Sequence, residues 1–374
     1  MVTYPSDWIV KDPYFTLEDS QRVPVTASER PAGTTPYYGA NGVQSFIDGY
    51  THRGEYVLIA EDGANNISDY PVHYVNGKIW VNNHAHAIRG ITGVSDTKYL
   101  SYAFKVIDYS AILVGGTRAK LNGSALRAIT MPLPNLPEQR AIAEVLSGFD
   151  EHLANLDELI TKKKAIRDGA LEGLMSRDLR LDGYNMPWAV RSLDEIAHSR
   201  RESSTGDPMD MDVELENLLP CEGQVVGDTS VRTAASFIFR PGDVLFGRLR
   251  PYLKKYWLAT CSGLRSGEIW ALAAKDGVDP RFLFHLVRTQ RFLDAAGKTM
   301  GTKMPRADWS LLKTESFEVP EVDKQRAIAE VLSGMDDEIR LLAEERAKAE
   351  RLKLGAMDDL LTGRVRLTLG KEAA

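Results

Sequence analysis

The run GRLRPYLKK, at residues 247–255, concentrates cationic and aromatic side chains of the kind that bind nucleic acid. Lysine and arginine neutralise phosphates, and arginine also pairs with the edge of guanine through two hydrogen bonds. One more arginine lies in the turn before the next apolar strand, and the motif GTKMPR adds two further cations. The side chains that we predict to contact DNA in this half of the chain are Arg248, Arg250, Tyr252, Lys254, Arg265, Lys303 and Arg306.

The first half of the chain contains polar loops with related chemistry. The motifs PYYGANG, NNHAH and GTRAKLN place tyrosine, asparagine, histidine and cationic side chains beside predicted turns. Asparagine can pair with adenine in the major groove, so these loops are candidates for reading bases. The corresponding residues are Tyr37, Tyr38, Asn41, Asn83, His84, His86, Arg118, Lys120 and Asn122. The same residue types also shape loops without touching a ligand, and that alternative stays open at this point.

Signatures of catalysis and of cofactor binding are missing from the sequence. No G-x-S-x-G, H-E-x-x-H or G-x-G-x-x-G motif is present, and the GKT at residues 297–299 lacks its phosphate-loop partner because Phe292 stands where a glycine is needed. His84 and His86 share one strand face with His73 as the third imaginable ligand, which is a weak metal set. We therefore predict no catalytic residue, no metal site and no cofactor bound by this chain.

Composition indicates a folded protein of more than one domain. The chain has 374 residues, of which 43% are hydrophobic, and its two cysteines cannot form a disulfide framework. No apolar run approaches the roughly 18 residues of a membrane span, and we expect a cytoplasmic location. The net charge of −6 excludes a uniformly cationic surface but allows a local cationic patch.

The ten residues QRAIAEVLSG occur at 139–148 and again at 325–334, a shift of 186 positions (325 − 139). Apolar residues then recur at alternating steps of four and three, which is typical of a helix packed along its length on another helix. We predict an internal duplication with two long helices that end near Met175 and Leu361. The predicted seam, which we also expect to support partner docking, comprises Ile142, Leu146, Phe149, Leu153, Leu156, Ile160, Ile328, Leu332, Met335, Ile339 and Leu342.

The repeated helices alternate with two stretches of mixed character. Short β-rich runs separated by Gly, Asn and Pro, together with a helical stretch at residues 280–296, predict α/β (α+β) globules. The predicted domains are globules at residues 1–137 and 185–322, a central spacer helix at 138–184 and a C-terminal spacer helix at 323–374.

In this order the motifs resemble those of the DNA-sequence-specificity (S) subunits of type I restriction–modification systems, over nearly the whole chain. The resemblance rests on the paired QRAIAEVLSG, on YYGANG, on GEYVLIAEDGA with IWVNNHAHAI, on GDVLFGRLRPYL and on GTKMPRADW. It implies two target-recognition domains that each read one half of a split double-stranded DNA sequence. It also implies that the two helices form an antiparallel coiled coil between those domains.

The resemblance further implies a non-catalytic prokaryotic subunit that docks modification subunits, expected to number two, and restriction subunits. S-adenosylmethionine, ATP and Mg would then belong to those partners. Two alternatives stay open. The chain could serve a related system whose partner fuses methylase and nuclease, or it could be a coiled-coil scaffold without a DNA role.

Overall fold

The computed structural model describes residues 4–113, 120–184, 186–204, 209–230, 237–298 and 305–367. The chain divides into two compact units. Unit 1 comprises residues 1–157 and 345–374, and unit 2 comprises residues 158–344. Each unit therefore combines one globule with part of both long helices.

Unit 1 contains a mixed six-stranded sheet, a two-stranded sheet and the start of the first long helix. Its elements are β1 (Ile9–Val10), β2 (Phe15–Leu17), β3 (Thr35–Gly39), β4 (Gly42–Ile47), β5 (His52–Ala60), β6 (Val72–Val81), β7 (Ala85–Gly90), α1 (Thr97–Lys105), α2 (Gly123–Arg127), β8 (Pro132–Leu133) and α3 (Leu136–Ser176). The six strands run in the order β2-β7-β5-β6-β3-β4, and only β3 and β6 are parallel neighbours. Strand β1 pairs with β8, immediately before α3.

The centre of this sheet is covered on both faces, which explains the unbroken apolar run at the end of β5. Val57 packs into one core cluster together with Leu100 and Phe104 of α1. The side chains that alternate with it, such as Leu58, belong to a second cluster with Val75 of β6. A strand that is buried on both faces requires apolar residues at every position, so period-two alternation is lost here.

Unit 2 contains two small sheets, a strand pair and a cluster of short helices. Its elements are β9 (Ala189–Ser192), α4 (Leu193–Ile196), β10 (Ala197–Ser199), β11 (Asp212–Val213), β12 (Phe237–Phe239), β13 (Val244–Gly247), β14 (Tyr256–Leu258), β15 (Gly263–Arg265), β16 (Ile269–Ala274), α5 (Pro280–Arg288), α6 (Gln290–Ala296), α7 (Trp309–Leu312), β17 (Ser316–Val319) and α8 (Val322–Leu361). The sheets are ordered β10-β16-β13-β14 and β11-β15-β12, and β9 pairs with β17 just before α8. Both units therefore have the α/β character that the sequence predicted.

The two long helices end where the apolar periodicity predicted. Helix α3 ends at Ser176, next to the predicted Met175, and α8 ends at the predicted Leu361. Every one of the eleven predicted seam residues is buried or half-buried. Among the described residues, no helix has both the length and the apolar character needed to cross a membrane.

In unit 1 the first part of α3 pairs with the last part of α8 in antiparallel fashion. Asp150 accepts hydrogen bonds from the Tyr102 hydroxyl at 2.6 Å and from the Lys353 ammonium at 2.5 Å. Further along, the Arg346 guanidinium lies 2.6 Å from the Asp157 carboxylate. Residue numbers rise along α3 while their partners' numbers fall along α8, so these contacts specify the antiparallel direction.

Unit 2 pairs the remaining parts of the same helices in the same sense. Asp336 of α8 accepts hydrogen bonds from Arg167 of α3 at 2.5 Å and from Arg288 of α5 at 3.0 Å. Lys163 and Glu338 form a second ion pair at 2.6 Å. Burial by itself would raise the pKa of Asp336, but the two guanidinium groups outweigh it and hold that pKa below its ordinary value.

The contacts of the two units correspond under the shift found in the sequence. Adding 186 carries Asp150 onto Asp336 and Arg167 onto Lys353, so both units use one aspartate and one cation at matching helix positions. In each unit the aspartate also bonds a side chain from the helix of its own globule, Tyr102 of α1 or Arg288 of α5. The repeated sequence therefore has a repeated set of polar contacts.

The glutamine that opens each QRAIAEVLSG copy anchors its helix to a globule. The Gln139 amide donates to the carbonyls of Pro134 at 2.9 Å and Val94 at 3.1 Å, and it accepts from the Asp96 N–H at 2.9 Å. Asp96 caps the N-terminus of α1 through the Tyr99 N–H. The Gln139 side chain thereby fixes the first turn of α3 against the first turn of α1.

Gln325 repeats this arrangement in unit 2. Its amide donates to the carbonyls of Pro320 at 2.8 Å and Gly277 at 3.0 Å, and it accepts from the Asp279 N–H at 2.9 Å. Asp279 in turn caps α5. Both glutamines are fully buried. An anchoring role for the repeated motif was not predicted from the sequence, which suggested only helix packing and partner docking.

We expect Gln139→Leu to destabilise unit 1. The change leaves the buried Pro134 carbonyl and the partly buried Val94 carbonyl and Asp96 N–H without this partner. Such groups cost about 1–3 kcal/mol each when buried, so we expect a loss of about 3 kcal/mol. Chemical denaturation followed by circular dichroism measures this loss. Arg140→Leu, at the exposed neighbouring position, is the matched control, and equal midpoints for the two variants would contradict the anchoring role.

Unit 2 also contains a buried histidine that predicts an acid-sensitive stability. Nδ1 of His285 accepts from the Arg288 guanidinium at 3.1 Å, and burial together with that cation lowers the pKa of His285 to about 3. The unfolded histidine binds a proton below about pH 6.5 while the folded one does not. The free energy of unfolding of unit 2 therefore falls as the pH falls from about 6.5 towards 3, by up to about 1.4 kcal/mol per pH unit.

His285→Gln should remove this part of the pH dependence, because an amide oxygen can accept the Arg288 hydrogen bond without titrating. Urea unfolding between about pH 7 and about pH 5 measures the slope. His198→Gln, which changes an exposed histidine of the same unit, serves as the control. Identical slopes for the two variants would show that His285 does not cause the effect.

Candidate nucleic-acid interface

The basic loop, residues 247–255, follows β13 and is held in a defined conformation from both sides. The Arg250 N–H donates to the Pro305 carbonyl at 2.8 Å, and the Ala307 N–H donates to the Arg248 carbonyl at 2.8 Å. On its other side, the Lys254 carbonyl accepts from the Cys221 N–H at 2.8 Å. The loop is therefore fixed to the segment that carries the sequence PRADW.

Two cationic residues of this loop adopt a conformation that L-amino acids rarely use. Arg250 has φ of 52° and Lys254 has φ of 51°, both in the left-handed region. Such residues cost of order 1 kcal/mol each and persist only where the surroundings enforce them, often at functional sites. Within the part of the chain that the structure describes, neither side chain has a hydrogen bond or ion pair. Their charges therefore remain available at the surface, next to Tyr252, which is 55% exposed.

Three further cations predicted in this half differ in their accessibility. Arg306 is exposed, but its guanidinium forms two-point contacts with the Glu268 carboxylate at 3.0 and 3.1 Å. Arg248 is half-buried and lies over the Trp270 ring. Arg265 closes β15 instead of lying in a turn, and only 3% of it is exposed. Arg265 is therefore too deeply buried to read base edges in a groove, and its contact with DNA stays a prediction.

In unit 1 the predicted PYYGANG residues mostly support the loops. Tyr37 is 1% exposed, and its hydroxyl exchanges hydrogen bonds with the backbone of Val25, so the predicted DNA contact by Tyr37 is wrong. Asn41 bonds the Gly63 carbonyl at 2.9 Å and the Asn65 N–H at 3.0 Å, which ties two loops together. Tyr38 is half-buried, and desolvation raises the pKa of its hydroxyl.

Some residues of the NNHAH motif lie at the surface of unit 1 and others lie in its interior. Asn83 and His84 are exposed, and His84 Nδ1 lies 2.5 Å from the Asp62 carboxylate. His86 is 1% exposed and bonds Asp19 at 2.5 Å and the Leu121 carbonyl at 2.7 Å. The predicted DNA contact by His86 is therefore wrong, because both ring nitrogens are engaged inside the globule.

The last predicted loop of unit 1 is described only in part. Arg118, like Lys303 in unit 2, lies outside the described residues. Lys120 is partly exposed, and its ammonium lies 2.7 Å from Glu61. Asn122 caps α2 by accepting from the Ala125 N–H at 2.8 Å. Among the described residues, the exposed candidates of unit 1 are Asn41, Asn83, His84 and Lys120.

Asp19, Glu61 and His86 could each direct one donor atom at a common metal ion, since these atoms lie within 4.8 Å of one another. However, the carboxylates already pair with cations, with Arg22 and Lys120 at 2.6 and 2.7 Å from Glu61. A divalent ion would have to displace both cations, so the donor set does not fit one. The cluster instead explains how the NNHAH strand is fixed to its neighbours.

The family assignment rests on sequence comparison. Residues 15–165 match the family model described as the type I restriction modification DNA specificity domain. The type I restriction enzyme MjaVIII specificity subunit of Methanocaldococcus jannaschii is 23% identical over 309 residues, which cover 73% of this chain and 71% of that protein. Residues 15–165 therefore belong to the type I restriction modification DNA specificity domain family, and the similarity to the MjaVIII subunit extends over most of the chain. The motifs that carried the resemblance therefore identified the family correctly.

Two further comparisons add detail to this assignment. A Haemophilus influenzae relative is 36% identical over 143 residues, but that match spans only 38% of this chain and 37% of the relative. The crystal structure of a type I restriction–modification system S subunit from M. genitalium superimposes with a TM-score of 0.62 at 17% identity, covering 98% of this chain and 99% of that one. At this level of identity the structural likeness establishes a common fold.

Arg250→Gly tests the exposed tip of the basic loop. Glycine adopts positive φ without strain, so we expect the stability to be kept or raised by up to about 1 kcal/mol. Loss of the guanidinium should weaken DNA binding about tenfold and lower the salt dependence of binding. Fluorescence anisotropy with duplex DNA at several salt concentrations measures both effects. Arg281→Gln, at an exposed arginine of the same unit, is the control, and a tip variant that binds like this control would exclude Arg250 from the interface.

Proposed function

We propose that the chain is the DNA-recognition subunit of a type I restriction–modification complex and reads a split target with two globules. The observation that carries this proposal is the repeated anchoring of two different globules to matching helix positions. Gln139 and Gln325 make the same three kinds of contact, while the loops beside them differ in sequence and in partners. Matching attachments of the globules to the long helices, combined with differing loops, suit a protein that reads two unlike half-sites.

The proposal includes an internal duplication and an antiparallel coiled coil formed by α3 and α8. The correspondence of Asp150 with Asp336 and of Arg167 with Lys353 supports the duplication. The direction of pairing within each unit supports the antiparallel arrangement. Apolar seam residues, flanked by such ion pairs, are the usual composition of helices that pack along their length.

The chain is proposed to act without catalytic groups of its own. Modification subunits, two per chain, would dock on the helices and supply the adenine-methylation chemistry, and restriction subunits would join them. S-adenosylmethionine, ATP and Mg would be held by those partners. The acidic character of the helices, with exposed side chains such as Glu144 and Glu330, suits protein docking better than phosphate binding.

The test is reconstitution of the full chain with its modification subunit, followed by mapping of methylated adenines in genomic DNA. We expect a target of two short blocks separated by unread bases. Arg250→Gly should relax the sequence requirement in one block only, because unit 2 would read that block alone. Methylation that requires a single uninterrupted block, or relaxation of both blocks at once, would contradict a division of labour between the units.

Partner identification separates the remaining alternatives. Mass spectrometry of proteins that co-purify with the chain should find separate modification and restriction subunits. A single partner that carries both activities would place the chain in a fused methylase–nuclease system. If neither the chain nor its complexes protect any duplex sequence from nuclease digestion, the DNA-recognition proposal fails.

A further inference from the structure

A cleft of about 520 Å³ opens on unit 2 beside the basic loop. Its cationic lining residues are Arg201, Arg248, Arg265 and Lys313. Among the described lining residues, Asp308 is the only carboxylate, and it caps α7 by accepting from the Ser310 N–H at 2.8 Å. The cleft lining therefore contains four cations and one carboxylate, and that carboxylate already accepts a hydrogen bond as the N-cap of α7. Such an excess of like charge in a concave site is unfavourable unless an anion enters it.

The most deeply buried of these cations lacks a counter-ion in its immediate contacts. The Arg265 guanidinium donates to the carbonyls of Ile269 and Arg200, both at 2.5 Å, and within the described ranges its Nε has no partner. Asp243, a buried carboxylate whose charge acts on Arg265, is already engaged at two points by the Arg200 guanidinium, at 2.7 and 3.1 Å. A guanidinium that is 97% buried with carbonyl partners alone is costly to keep charged.

This burial has a measurable electrostatic consequence. Desolvation lowers the pKa of Arg265 to about 10, although Asp243 partly opposes the shift. Arginine nevertheless remains protonated at neutral pH, so the positive charge is permanent under ordinary conditions. The structure therefore maintains an unneutralised cation at the wall of an open cleft.

Aromatic side chains hold two of the guanidinium groups in place. The Arg265 guanidinium carbon lies 4.9 Å from the centre of the Phe237 ring, and that of Arg248 lies 5.7 Å from the Trp270 ring. Stacking on an aromatic ring occupies a face of a guanidinium and leaves the N–H groups at its edge free to bind an oxyanion. In the described part of the chain, Nε of Arg248 also has no partner.

We infer that this cleft is a phosphate-binding site that holds one backbone phosphate of the DNA strand contacted by the basic loop. Arginine edges and a lysine ammonium match the tetrahedral oxygens of a phosphate. Exposed Arg201 and Ser310 at the mouth make the cleft accessible from solvent. Arg248 stands two residues before Arg250, so a strand that reaches the tip of the loop passes the cleft. The assignment to DNA rests on the proposed function, whereas the phosphate chemistry rests on the cleft alone.

The cleft was only partly predictable from the sequence. Arg248 and Arg265 were singled out for their motifs, but Arg201 and Lys313 were not, because they are more than a hundred positions apart in the chain (313 − 201 = 112). The tertiary structure brings them to one cavity, where the ring of Trp309 on α7 lies 5.6 Å from that of Trp270 on β16. Trp309 of the PRADW motif also lines the cleft, so this motif could have indicated the site from the sequence.

The first experiment asks whether the full chain binds phosphate at this place. Inorganic phosphate is titrated into the protein at constant ionic strength and followed by phosphorus NMR line broadening. We expect saturable binding by the parent chain and at least about tenfold weaker binding by Lys313→Gln and by Arg248→Gln, as loss of one charged contact predicts. The matched control is Lys298→Gln, which removes an exposed lysine of the same unit that pairs with Glu315. Equal phosphate binding by all four proteins would overturn the site.

The second experiment asks whether the occupant is a DNA phosphate. Duplexes that contain the mapped target carry one uncharged methylphosphonate at each backbone position in turn. We expect one position at which neutralisation weakens binding to the parent chain about tenfold and has no further effect on Lys313→Gln. If methylphosphonate substitution lowers DNA affinity equally in the parent chain and in Lys313→Gln at every position, the cleft does not hold the DNA backbone. Phosphate binding in the first experiment would then identify a site for free phosphate. If no sequence is protected at all, the proposed function fails while the first experiment still decides the cleft.

Arg265→Met is a further variant for the same assays. Because Arg265 is buried, the folding of this variant is checked first by thermal unfolding. Lys313→Gln and Arg248→Gln keep the test valid if the Arg265 variant does not fold. Replacement of the buried guanidinium by an apolar side chain of similar length should abolish phosphate binding. A folded variant that still binds phosphate like the parent would contradict the role given to Arg265.

Discussion

Each long helix is joined to its globule by one buried glutamine, and the placement of the surface loops depends on that joint. Gln139 and Gln325 connect the first turn of a long helix to the capping residue of the globule's own helix, Asp96 or Asp279. A side-chain amide that satisfies three buried backbone groups has a single geometry, since a lost partner costs free energy. This accounts for the presence of glutamine at the start of both copies of the repeat.

The long helices are held in register by a second set of polar contacts. Asp150 and Asp336 each accept from a cation on the opposite helix and from a side chain of the adjacent globule. Apolar seams alone tolerate sliding by one heptad, whereas a partly buried carboxylate that must meet its partners does not. Each aspartate therefore connects three elements of its unit. Substitution of either one would disturb both the helix pair and the adjacent globule.

Charge is distributed differently in the helices and in the candidate interface. On the helices, acidic side chains are mostly matched by cations, as in the pair of Arg346 with Asp157. In unit 2, by contrast, the basic loop and the neighbouring cleft keep cations that the described residues do not neutralise, among them Arg250 and Arg265. The left-handed backbone at Arg250 holds one of these charges in place at a cost in stability, whereas the Phe237 ring holds the Arg265 guanidinium by a favourable contact.

The sequence by itself determined the two long helices, their ends and their apolar seams, because helical periodicity reports contacts along a single element. The motifs and their order also carried the resemblance to the family, and the cationic run at residues 247–255 indicated the basic loop. Only the tertiary structure decided which polar side chains face solvent. His86 meets Asp19 and the Leu121 carbonyl across 67 and 35 positions, and Arg265 meets the Arg200 carbonyl across 65. Whether a polar residue supports a loop or stays exposed for contact with DNA depends on such distant partners. A local sequence pattern does not indicate which partners these are.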